Sequence, residues 1–166
     1  GCNTCHTQMI RPFRSETERY GAFSKSGEFV YDKPHLWGSK RTGPDLHRIG
    51  NKYPDSWHYN HMLEPESMSP GSIMPDYPWL FDKDLDTKYT SAKIRVLQSM
   101  GVPYPEGFAE VAEENLKTQA LTVVESLKND GIEQENLEAK RIVALIAYLQ
   151  RLGTDHKPEA TIESED

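Results

Sequence analysis

All-α is the fold class the sequence predicts, and three observations predict it. Ile142, Leu145, Ile146 and Leu149 recur at helical spacing as one apolar stripe near the end of the chain. A charged stretch from Phe108 to Asp130 carries Val111, Leu116, Leu121, Val124 and Leu127 as the face of another helix. Most of the rest is cut by Gly and Pro clusters that read as long loops. The 166 residues suit one domain, residues 1–153, with a helical excursion at about 102–130 and an acidic, disordered tail at 154–166.

Taken in order, Cys2 to Met9 read as the last turns of a helix. From Ile10 to Tyr53 the chain is polar and rich in Gly, Pro and aromatics, with one short helix at about Glu16 to Tyr20. Pro54-Asp55-Ser56-Trp57 starts a helix that runs to about Leu63 and stops before Pro65. Glu64 to Pro78 is a second loop, with prolines at 65, 70, 75 and 78. Asp84, Asp86 or Thr87 caps a helix through Met100, with Ile94, Val96, Leu97 and Met100 as its apolar positions. Gly101 to Pro105 breaks it. Gly131 stops the helix that follows, and the last helix spans about Gln134 to Leu152.

Composition narrows the function. The chain carries 26 acidic and 19 basic residues, a net charge of −7, which argues against nucleic acid as a partner. The longest apolar run, Ile142 to Leu149, is too short to span a membrane. Apolar residues make up 36%, few for a core without help.

That help is signalled by Cys2-Asn3-Thr4-Cys5-His6, the attachment pattern of c-type haem. The two thiols can each form a thioether to a haem vinyl group, and the adjoining imidazole can bind the iron. The alternatives are a redox dithiol or part of a zinc site, but no further Cys is present to complete a zinc cage. One such pattern means one haem, and both cysteines are used by it, so no disulfide is expected. Covalent haem attachment is extracytoplasmic. No signal peptide is visible, so residues are expected ahead of Gly1.

The opposite face of the iron decides between electron transfer and open-site chemistry. Met74 is favoured as its ligand: it sits in the Pro-rich loop, and Pro75 restricts the backbone beside it. Met68 shares that loop, Met9 lies too close to His6 in sequence, and Met62 and Met100 read as helix core filler. His35, His47, His58, His61 and His156 are the nitrogen alternatives. His58 and His61, three apart on one helix, read as surface residues rather than a second metal site. In Gly43-Pro44-Asp45-Leu46, the Pro44 carbonyl could accept the other ring N–H of His6, or the segment could be an ordinary turn.

In this order the motifs resemble class I cytochromes c. More specifically, Gly1 to Arg14, Glu18-Arg19-Tyr20-Gly21, Trp37 to Leu46 and Ser72 to Leu80 resemble the mono-haem subunit, CcoO or FixO, of cbb(3)-type cytochrome c oxidases. The resemblance implies a class I cytochrome c fold with one covalent haem c on Cys2 and Cys5, axial ligands His6 and Met74, and Pro44 as the acceptor for His6. It implies a domain on the periplasmic side of the bacterial inner membrane, tethered by an N-terminal anchor missing from this chain. The leading helix is likewise truncated, which leaves the stripe of Ile142, Leu145, Ile146 and Leu149 without a neighbour. The implied partners are a second cytochrome c subunit and the catalytic haem–copper subunit, towards which electrons pass. The chain itself is implied to be non-catalytic. Arg11, Arg14, Lys40 and Arg41 fall in basic segments that face the haem propionates, the catalytic subunit or plain solvent. A free periplasmic carrier and a haem enzyme or gas sensor with an open distal site are the competing readings.

Overall fold

The computed structural model describes residues 1–36 and 38–154. Trp37 and the expected acidic tail from 155 onward lie outside them. Seven α-helices are present among the described residues: α1 (Arg14–Tyr20), α2 (Asp55–Leu63), α3 (Pro65–Met68), α4 (Trp79–Asp82), α5 (Thr90–Ser99), α6 (Phe108–Asn129) and α7 (Arg141–Arg151). No sheet forms among these residues. Two isolated bridges, His6 to Arg41 and Asp84 to Lys140, are the extended pairings. The all-α expectation therefore holds, and no helix there is long and apolar enough to cross a membrane.

The main core lies where α6 and α7 cross. Leu127, Leu137, Ile142 and Ile146 are each at most 1% exposed and pack with Val123, Val124 and Phe81. Burial of this kind stabilises by roughly 1.5–3 kcal/mol per large side chain. The stripe on α7 thus has a neighbour: the helical excursion, whose α6 covers Ile142, Val143 and Ile146. Leu145 stays half-buried, and Val143 takes its place in the core.

The face of α6 also differs from expectation. Val111 and Leu121 are 49% and 59% exposed, while Ala109, Ala112, Ala120, Val123, Val124 and Leu127 are buried. Ala109, Ala112 and Ala120 let neighbouring helices approach closely, and a hydropathy ranking that favours large residues misses them. On α5 only Ile94 is buried; Val96 and Met100 point outward, so Met100 is not core filler.

Three boundaries move for identifiable reasons. α5 starts at Thr90, because the backbone around Asp84 is engaged elsewhere: Leu85 N–H donates to Ala139 and Arg141 N–H to Lys83. α7 starts at Arg141 rather than Gln134, because Asn136 is left-handed (φ 53°) and Lys140 is extended. The expected helix at Cys2 to Met9 is only a 3-10 turn at Cys2–Thr4, since the residues after it pair with a distant loop. α3 and α4 are additional, so Met68 closes a short helix rather than sitting in an open loop.

Candidate functional site

The segment after the 3-10 turn pairs with residues 41–46. Gly43 N–H donates to Cys5 O and Leu46 N–H to Thr7 O, each at 2.9 Å, and His6 forms an isolated bridge to Arg41. This short ribbon brings Pro44 to His6: His6 Nδ1 lies 2.7 Å from the Pro44 carbonyl oxygen. A carbonyl can only accept, so Nδ1 carries the proton and Nε2 keeps its lone pair. Gly43 is required here for space. A Cβ at 43 would fall inside the van der Waals shell of His6 Cε1. Cys2 and Cys5 stand beside this imidazole as free, exposed thiols.

The C-terminal end of α2 and the loop carrying Met74 close on the same place. Tyr77 N–H donates to Met62 O at 3.0 Å, tying that loop to α2. Burial pushes the Tyr77 hydroxyl up, and the nearby Cys2 and Cys5 thiols add to the shift. Burial pushes the His61 imidazole down, helped by His6. Met74 is half-buried; it lines a cavity of about 490 Å³ with Leu63, Pro65 and Pro75.

The other candidate ligands are placed differently. His47 is 2% exposed, with Nε2 3.1 Å from Glu28. His58 is 1% exposed, packed edge-on against Tyr53 and Trp57, so it is not a surface residue. His61 stacks on Trp57. His35 packs at a tilt against Phe29. Met62 packs on the main core. His156 lies outside the described residues. No three His, Cys, Asp or Glu side chains among the described residues gather to hold a metal ion.

Arg41 and Arg11 do not face outward as free basic groups. Arg41 reaches Asp45 at 3.0 Å and Glu16 at 2.9 Å, and Arg11 also engages Glu16. The Arg11 side chain and backbone N–H and the Arg41 charge together hold the Glu16 carboxyl down at about 2. Arg14 is 91% exposed and pairs only with Glu18. The residue that sequence reasoning passed over is Asp45, whose carboxylate is fully buried. The available signal was Arg41 four residues ahead of Asp45 in the segment already singled out for Pro44.

These residues fit a haem attached through the paired thiols: the imidazole has one nitrogen anchored and one free, and its face is cleared by Gly43. The family model described as cytochrome c oxidase, mono-heme subunit/FixO matches residues 1–156. No curated protein matches the chain.

Proposed function

The chain belongs to the FixO family, the mono-haem subunits of cytochrome c oxidase, and on that premise we propose that it is the electron-relay haem c domain of a cbb(3)-type terminal oxidase. Cys2 and Cys5 would hold the haem by thioether bonds, and His6 and Met74 would bind its iron. Haem bound in this way supplies a one-electron couple. The observation that carries the reading is the 2.7 Å contact between His6 Nδ1 and Pro44 O, which leaves Nε2 for the iron.

Each residue's work follows from its chemistry. The Pro44 carbonyl fixes the tautomer and ring plane of His6 and raises its basicity. Met74, placed in a loop tied to α2 through Tyr77, would supply a second ligand to the iron and keep substrates and gases from it. A metal held by two protein ligands would rearrange little when an electron moves. Electrons would then pass from a second cytochrome c subunit towards the catalytic haem–copper subunit, on the periplasmic side of the inner membrane.

The test is the visible spectrum of the haem-loaded chain. A Met–Fe band in the far red of the ferric protein and slow carbon monoxide binding to the ferrous protein are expected. Rapid carbon monoxide binding would remove Met74 as the ligand. Met74→His is expected to lower the midpoint potential markedly, and an unchanged potential would assign the ligand to another residue. Retention of the haem through acid–organic extraction, lost when Cys2 and Cys5 are both replaced by Ala, checks the covalent links. Co-purification with a large membrane subunit carrying further haems checks the partner.

A further inference from the structure

We propose that Asp45, clamped by Arg41 and Thr7, is the positioning residue that holds the Pro44 carbonyl against His6 and thereby tunes the reduction potential. The proposal rests on the reading of His6 as an iron ligand.

Pro44 is exposed and has no N–H, so nothing on the residue itself fixes its carbonyl. The backbone bonds of Gly43 and Leu46 bring it to His6, and the next side chain adds the further restraint. Asp45 Oδ2 accepts from Thr7 Oγ1 at 3.1 Å and from Met9 N–H at 3.0 Å, and Arg41 Nη1 lies 3.0 Å away. Asp45 Oδ1 accepts from His47 N–H at 2.9 Å. One buried carboxylate therefore binds the strand leaving His6 to the loop bearing Pro44. Arg41 repeats the link with its own donors, to Thr7 Oγ1 at 2.6 Å, Met9 O at 3.0 Å and Glu16 at 2.9 Å.

Stability alone does not account for this arrangement. A buried ion pair gains little over an apolar pair of similar volume, because desolvation offsets the attraction. What charged hydrogen bonds supply is direction and distance. The quantity they hold here is the His6–Pro44 contact. A tight Nδ1–H to carbonyl bond makes the imidazole a stronger donor to iron and favours the ferric state. Loosening it raises the potential.

Two variants of the haem-loaded full chain separate position from charge. Thr7→Val keeps shape and charge but removes the hydroxyl shared by Asp45 and Arg41. Arg41→Gln removes a positive charge, which by electrostatics alone would lower the potential. The proposal expects the potential to rise in both, with faster solvent exchange of the His6 Nδ1 proton in the NMR spectrum. A fall in Arg41→Gln, or a Thr7→Val protein matching wild type in both readouts, overturns it. If Arg41→Gln does not fold, Thr7→Val decides alone. Failure of the underlying ligand reading looks different: His6 ring resonances in the wild type would lack the paramagnetic shift of an iron-bound imidazole.

Discussion

The loops around His6 and the helices around Ile146 each carry buried side chains, yet they are held by different forces. Near His6 the buried side chains include Glu16, Asp45 and His47, and they are held by charged hydrogen bonds to Arg11, Arg41 and Glu28. At the α6–α7 crossing the residues most completely removed from water are Leu127, Ile142 and Ile146. Apolar packing is non-directional and tolerates a small slide of one helix on another. Hydrogen-bonded ions do not, since their energy falls steeply with angle and distance. The molecule uses burial where it needs cohesion and ionic bonds where one imidazole must stay in one place.

Acid should break the comparison most completely. Glu16 and Glu28 both titrate at about 2 in the folded chain, against an ordinary value of 4.5. Their folded pKa values are depressed, so the stability they confer is full above about pH 4.5 and is lost as pH falls towards 2. The loops around His6 should therefore loosen before the α6–α7 core does. Hydrogen exchange along the chain at descending pH would show it, and simultaneous loss in both regions would deny the distinction.

Arg41→Ala removes the cation paired with the buried Asp45 carboxylate, and the expected loss is about 3–5 kcal/mol in denaturant unfolding. Leu127→Ala on the other side should cost about 2–5 kcal/mol through the cavity it leaves, while the midpoint potential stays at its wild-type value. Gly43→Ala pushes a methyl group into the His6 ring and should cost about 1–3 kcal/mol, with a changed ferric spectrum. The exposed Arg14–Glu18 pair is the control: Arg14→Ala should change stability by about 0–0.5 kcal/mol, and both readouts should stay flat.

Local signals carried much of this into view. Pro54 and Asp55 mark the start of α2, and Pro65 its end, because caps and prolines act within a single turn. The C-terminal end of α6 was equally legible, at Gly131. Its buried face was not, because alanine's value lies in the close approach of a neighbour that the sequence does not name. His58 was misplaced for a similar reason: its helix is polar, but the rings of Tyr53 and Trp57 close over it.

The sequence by itself determined the all-α class, the family and the short motifs Cys2-Asn3-Thr4-Cys5-His6 and Gly43-Pro44, which are read from residues near one another in the chain. Only the tertiary structure decided that Arg41 and Arg11 turn inward to Glu16, that Asp45 is buried beside His6, and that α6 covers α7. Those outcomes depend on which distant groups come within about 3 Å of each other, and a carboxylate reads the same in a sequence whether water or a guanidinium waits for it.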